Sequence, residues 1–166
     1  MAAVENGDRA AGIRVRIDRK MFPALGGRKE QLVLSDVRFD VAARSFVAIT
    51  GPSGCGKSTL LNIIAGLDND FEGEIDLGAG RDKLAYIFQT PRLLPWRTVY
   101  ENMALVLPSG DPRVKNIAPM LQRVGLWEAA DAYPERLSLG MQRRASLARG
   151  FLVEPDILLM DEPFVS

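Results

Sequence analysis

The sequence predicts an α/β fold built around a phosphate-binding loop, and three observations carry that reading. The apolar run Phe46 to Thr50 opens directly into Gly51-Pro52-Ser53-Gly54-Cys55-Gly56-Lys57-Ser58. A helix-spaced segment, Leu60-Leu61-x-Ile63-Ile64, follows at once. A second short apolar run, Ile157 to Met160, delivers Asp161 and Glu162 at its carboxyl end. Strands, buried apolar strands and a helical insert in one chain argue for α/β layering.

Composition sets the frame. At 166 residues and 47% apolar content the chain is long enough for one domain with a real core. Lysine plus arginine equals aspartate plus glutamate at 21 each, so no net field draws the molecule to nucleic acid, which is not an expected partner. A single cysteine, Cys55, cannot make an internal disulfide, and the absence of histidine removes imidazole metal sites and Ser-His-Asp triads. The chemistry is left to carboxylates, lysine, hydroxyls and backbone amides. The opening MAAVENGDRAAG has no apolar core of signal-peptide type, and no run approaches the roughly 18 apolar residues of a membrane span. The expectation is a soluble intracellular protein.

Along the chain, residues 1–12 read as a flexible polar arm, and Ile13 to Ile17 alternates as a half-buried strand does. A turn over 26–30 leads to a second alternating strand, Leu32 to Val41, with Val37, Phe39 and Val41 on one face. A turn at 43–45 then enters a buried strand over 46–50. Helix follows from Lys57 or Ser58 to about Ala65, with Gly66 as its left-handed cap. Short strands are expected at Glu74 to Leu77 and Lys83 to Phe88. Pro91 and Pro95 break regular structure around Leu93-Leu94-Pro95-Trp96, whose large apolar groups either pack into a helical subdomain or form a docking surface. Helical spacing then marks Val99 to Leu107, Val114 to Val124 with a kink at Pro119, and Leu139 to Phe151, before the strand Ile157 to Met160.

Residues 51–58 fit G-x-x-x-x-G-K-[ST] in the context that pattern needs, after a strand and before a helix. Glycines let backbone N–H groups turn inward, and the helix start adds unpaired amides and the positive end of its dipole. In such an anion cradle Lys57 reaches the β- and γ-phosphates of ATP, Ser58 offers its hydroxyl to Mg²⁺, and Thr59 is counted with residues 51–58 among the nucleotide-binding residues. With no histidine to activate it, Cys55 reads as a small loop residue. Phosphate-bound Mg²⁺ needs a hard oxygen ligand, which Asp161 supplies from its strand end, and Glu162 is placed to polarise an attacking water.

Other nucleotide-binding classes fit less well. Asp70-Phe71-Glu72-Gly73 matches the D-x-x-G of small GTPases, but no N-K-x-D is present to read guanine. A chromosome or DNA-repair ATPase would separate the phosphate loop from Asp161 by a long coiled coil, and no heptads are sustained here.

With these motifs in place the sequence resembles the ATP-binding subunits of ABC transporters. Besides GPSGCGKST and ILLMDEP it carries Gln89 in YIFQTPRLLPW, similar to the Q-loop, and Leu137-Ser138-Leu139-Gly140-Met141-Gln142, similar to the signature motif. The segment RLLPWRTVYENMALVL most resembles ATPases of nitrate, sulfonate and taurine importers. The resemblance implies a P-loop NTPase with a mostly parallel core sheet, N-terminal antiparallel strands and an α-helical subdomain over about 91–150. The nucleotide-binding domain then spans 13–166. It also implies a head-to-tail dimer of two copies, with Gln89 serving Mg²⁺ and the lytic water. Ser138, Gly140 and Gln142 then act in trans on the nucleotide, and Phe22 stacks on adenine. Transmembrane permease subunits and, indirectly, an extracytoplasmic solute-binding protein are the implied partners, at the inner face of the cell membrane.

Two departures bear on that expectation. Leu139 takes the first glycine of the usual L-S-G-G-Q, which is expected to weaken trans contacts. The sequence stops at Ser166, where the resemblance implies a continuing D-loop and a further strand ending in a histidine. Within a longer chain the expected function is ATP hydrolysis driving an importer. As 166 residues alone, the expectation is a truncated, catalytically weak or inactive nucleotide-binding module.

Overall fold

The computed structural model describes residues 12–24, 29–78 and 83–162. The expected arm over 1–11, the start of the turn at 26–30 and the last four residues lie outside that range. The chain divides into two compact units, Met1–Asp82 and Lys83–Ser166.

In the first unit β1 (Ile13–Phe22) lies between β2 (Gln31–Val41) and β3 (Glu72–Asp76), antiparallel to both. Alternation explains the start of β1: Val15 and Ile17 are fully buried while Arg14 faces solvent. The buried face then changes parity, and Lys20 becomes the next buried position of β1. The cause is a bulge against β3 between Ile17 and Arg19, where Asp36 of β2 adopts φ 50°. Arg38 stitches this irregularity, donating to Asp36 and Asp18 carboxylates at 2.7 Å each. Gly73 is required beside it, because a Cβ there would fall 2.1 Å from the Arg16 carbonyl oxygen.

Lys20 is 2% exposed, an unusual place for an ammonium. Its Nζ donates to the Asp68 carboxylate at 2.8 Å and to the carbonyl and carboxylate of Asp70. Burial opposes the charge, but the hydrogen bonds and charges of Asp68 and Asp70 outweigh it and hold Lys20 above its ordinary value. The loop after α1 (Lys57–Ile64) is thereby fastened to the sheet. That helix buries Leu60, Leu61, Ile63 and Ile64 and ends as expected, with Gly66 at φ 70° donating to the Ile63 carbonyl.

The expected strand over 46–50 does not form. Among the described residues it has no ladder partner, and Phe46 is 80% exposed. An apolar run of strand length reports a preference for burial but supplies no neighbour, and the three-stranded sheet is completed by β2 and β3 without it.

In the second unit β4 (Leu84–Ile87) and β5 (Ile157–Met160) form a parallel pair in the register Leu84↔Ile157 to Ile87↔Met160. Helices α2 (Val99–Ala104), α3 (Ile117–Arg123) and α4 (Leu139–Leu152) enclose a separate apolar core around Val99, Met103, Ile117, Leu121, Leu126 and Leu152. The helix expected over 114–124 is shorter, so Pro119 is not in its interior. It lies in the first turn of α3, where its missing N–H has no intrahelical partner to lose, and residues 112–116 form a 3₁₀ turn instead. The α2 helix is closed by a capping box in which Thr98 and Glu101 exchange side chain and backbone bonds, and it stops at Ala104, earlier than Leu107.

In the Pro-broken loop over 91–97 the apolar side chains differ in burial. Leu93 packs on the helical core, while Trp96 stays 67% exposed. Asn102, 1% exposed, fixes this loop: it accepts from the Leu94 amide at 2.8 Å and donates to the carbonyls of Leu94, Arg97 and Thr98. Replacing Asn102 with alanine orphans these groups and is expected to cost about 2–4 kcal/mol in urea denaturation. Removing the half-buried cap by Thr98→Ala should cost about 1 kcal/mol. Equal effects would show that the loop does not depend on Asn102.

Candidate functional site

The glycine-rich loop over 51–58 turns on two left-handed glycines, Gly54 at φ 80° and Gly56 at φ 98°. Gly54 meets nothing within 4 Å, so its requirement is conformational. Gly56 carries a second constraint: a Cβ there would lie 2.9 Å from Leu34 and 3.1 Å from Val33 of β2. Glycine lets the loop settle onto the sheet and start α1 at Lys57, with no side chain capping the helix and no acidic residue in its first turn. The first amides of α1 and its positive dipole end are thus left to an anion. Lys57 Nζ donates back to the carbonyls of Gly51 at 3.0 Å and Pro52 at 3.1 Å, so the ammonium arches over the loop it follows. Ser53 and Ser58 are exposed, Thr59 is half-buried, and Cys55 is a free, exposed thiol whose sulfur packs over Gly51.

The second unit brings the carboxylates together with Gln89. The Asp161 amide donates to the Ile87 carbonyl at 2.9 Å, which extends the β4–β5 pairing past its last register pair. Gln89 and Glu162 consequently leave the carboxyl ends of adjacent parallel strands, and Gln89 Nε2 donates to Glu162 Oε2 at 3.1 Å. Open α/β sheets bind ligands at this end. Asp161 is 7% exposed, and Glu162 holds φ 43°, a left-handed conformation that turns the chain sharply after the strand. Burial first, and then the charge of Asp161, push the Tyr86 phenol up to about 12, so it stays neutral beside the carboxylate. The Tyr86 ring stacks on Phe88, and the Arg92 guanidinium lies 3.6 Å from the Phe88 centroid.

The remaining candidates are separate features. Ser138 caps α4 by accepting from the Met141 amide at 3.2 Å, and Ser138, Leu139 and Gly140 form an exposed helix start. Gln142 points its amide at the carbonyls of Pro134 and Leu137, closing the turn before the helix. Phe22 ends β1 half exposed, with the Lys20 ammonium 5.0 Å from its ring centroid. Sequence reasoning does not single out Arg149. Its signal was a charge at 149 on the stripe marked by Ala145, Ala148 and Leu152.

No group of three or more His, Cys, Asp or Glu that could hold a metal ion occurs among the described residues. The residues fit Mg²⁺ carried by nucleotide phosphates, with one or two protein oxygens completing its shell.

Residues 34–165 match the family described as ABC transporter. The chain belongs to the ABC transporter family. It is 43% identical over 155 residues to an aliphatic sulfonates import ATP-binding protein of Burkholderia lata, a match that covers 90% of this chain and 55% of that one. It is 42% identical over 159 residues to the protein of the same description in Bacillus subtilis, covering 92% and 61%. The chain thus spans between about half and three-fifths of the length of these ABC relatives. Among solved structures it resembles a dimeric ATP-binding cassette in a post-hydrolysis state bound to ADP and Pi. That match has TM-score 0.79 and 32% identity, and covers 92% of this chain and 74% of that chain. The P-loop NTPase class and the importer type read from the sequence both agree with these findings.

The two loop glycines should differ when replaced. Gly54→Ala is expected to cost about 1 kcal/mol for its left-handed backbone alone. Gly56→Ala adds the clash with Leu34 and Val33 and should cost about 2–3 kcal/mol in urea denaturation. A smaller loss at Gly56 than at Gly54 would remove the argument for its contact with β2.

Proposed function

We propose that this chain binds Mg-ATP and carries the hydrolytic residues of a subunit that energises an importer of sulfonate-like solutes, with nitrate and taurine as the neighbouring solute classes. The observation that carries the reading is the Glu162 carboxylate held by Gln89 beside Asp161 at the ends of two parallel strands.

The loop amides of residue 51 and residues 53–56, the start of α1 and Lys57 hold the phosphates, and Lys57 moves from its own loop carbonyls onto the incoming anion. Ser58, Gln89 and Asp161 are the oxygen groups offered toward Mg²⁺, which when bound neutralises charge on the β- and γ-phosphates. Glu162 orients a water for in-line attack and takes up its proton, with Gln89 fixing the carboxylate. Ser138 and Gly140, exposed at the start of α4, face the nucleotide of a second copy in a head-to-tail dimer, with Gln142 firming the turn behind them. Phe22 stacks on adenine. Exposed Trp96 belongs to the face that meets transmembrane permease subunits, and an extracytoplasmic solute-binding protein acts through those subunits at the inner face of the membrane.

A catalytically weak nucleotide-binding module is the second reading. It is favoured by the segment leading into the phosphate loop, which has no ladder partner among the described residues. A loop entered from an unpaired segment binds an anion at a larger ordering cost.

Lys57→Ala is expected to weaken Mg-ATP binding at least about tenfold by calorimetry, the loss of a charge-assisted bond. Equal weak binding by parent and variant would defeat the phosphate role of the loop. Glu162→Gln should keep affinity while turnover falls about a hundredfold or more, and undiminished turnover would remove Glu162 as the base. If the parent itself binds but does not turn over, the second reading holds.

A further inference from the structure

The loop that carries Gln89 is held by a side chain outside the proposed chemistry. Arg149, in the last turn of α4, donates from Nη2 to the Pro91 carbonyl and from Nη1 and Nη2 to the Arg92 carbonyl, each at 3.1 Å. Among the described residues no carboxylate pairs with its guanidinium, although burial presses its charge below the ordinary range. Among the described residues, all the hydrogen bonds of this half-buried cation go to two consecutive backbone oxygens of one loop. Gly150 makes the approach possible, since a Cβ there would come within 2.9 Å of Ile87 on β4. The Arg92 it grips has φ 47° and lays its own guanidinium on the Phe88 ring, one residue before Gln89. The loop is thus pinned from one side by α4 and from the other by the strand end.

We propose that Arg149 is a positioning residue for Gln89: through the Pro91 and Arg92 carbonyls it fixes the loop that holds the Gln89 amide on Glu162. It also couples that loop to the helix whose start carries Ser138 and Gly140. A planar guanidinium serves two adjacent carbonyls at once, and a lysine ammonium at the same place reaches them as a point donor only. The kinetic consequence rests on the roles proposed for Gln89 and Glu162. The mechanical one does not.

The test is limited trypsin digestion of the full 166-residue chain, read by mass spectrometry, beside steady-state ATP turnover. Trypsin cuts after Arg92, whose carbonyl Arg149 holds, and after Arg97, whose carbonyl Asn102 holds. In Arg149→Met, cleavage at Arg92–Leu93 should accelerate roughly tenfold or more, while cleavage at Arg97–Thr98 keeps the parent rate. Arg149→Lys should fall between. In turnover, Arg149→Met should lower kcat toward the level of Gln89→Ala with KM unchanged, and the double variant should be no slower than Gln89→Ala alone.

Unchanged cleavage at Arg92 in Arg149→Met overturns the proposal, as do losses that multiply in the double variant. If Arg149→Met digests throughout, Arg149→Lys decides: faster cleavage confined to Arg92 supports the clamp, and parent-like or general digestion overturns it. A parent chain that fails to hydrolyse ATP removes the hydrolytic reading, and the digestion still decides the clamp.

Discussion

The second unit of this protein depends on one backbone hydrogen bond, from the Asp161 amide to the Ile87 carbonyl. It is the rung that continues the β4–β5 pairing beyond Met160, and it determines which residues emerge side by side at the strand ends. Because side chains alternate along a strand, a slip of one residue would exchange the faces of Asp161 and Glu162 and move Gln89 off its partner. The rung is protected by its surroundings. Tyr86 and Phe88, which flank Ile87 in sequence, stack on each other, and α4 presses on Ile87 through Gly150, close enough that no larger residue fits without a shift. Burial of Asp161 then results from the same packing that fixes the register.

The phosphate loop meets a different constraint. An anion cradle of the kind proposed needs several backbone amides aimed at one point, and the chain offers toward it two left-handed glycines and a helix start left without a capping side chain. Such a loop has little packing of its own. It gains definition from its ends: Gly56 seats on Val33 and Leu34, and the four buried side chains of α1 anchor the helix that leaves it.

Sequence made legible whatever was written in local pattern. The loop glycines, the Gly66 cap, β5 from Ile157 to Met160 and the Ser138 cap of α4 are each specified by neighbouring residues, and each is present. The features that stayed illegible depend on partners distant in sequence. Phe46 to Thr50 has the composition of a buried strand, but burial requires a neighbouring strand that composition does not provide. Pro119 looked like a kink because its place within α3 depends on where the preceding 3₁₀ turn ends. Lys20 and Asn102 are polar residues on the buried side of amphipathic elements, a pattern that announces an unusual contact without naming it. Their partners, Asp68 with Asp70 and the carbonyls of the 94–98 loop, emerge only once the chain is folded.

Those two residues and Arg149 show a common solution in separate parts of the molecule. Each unit must hold irregular loops in place, and backbone ladders cannot do so because the loops are irregular. A long or amide side chain from a regular element takes over: Lys20 from β1 holds residues 68–70, Asn102 from α2 holds 94–98, and Arg149 from α4 holds 91–92. Two of the three anchors are nearly inaccessible to water, so breaking their bonds exposes no compensating solvent contact and the cost of loosening the loop is the full desolvation penalty. Arg149 is the more accessible anchor, and its bonds reach the loop nearest Gln89. The loop beside Gln89 is therefore the one that can yield at moderate cost, which is what a loop needs if it is to respond when nucleotide is bound and hydrolysed.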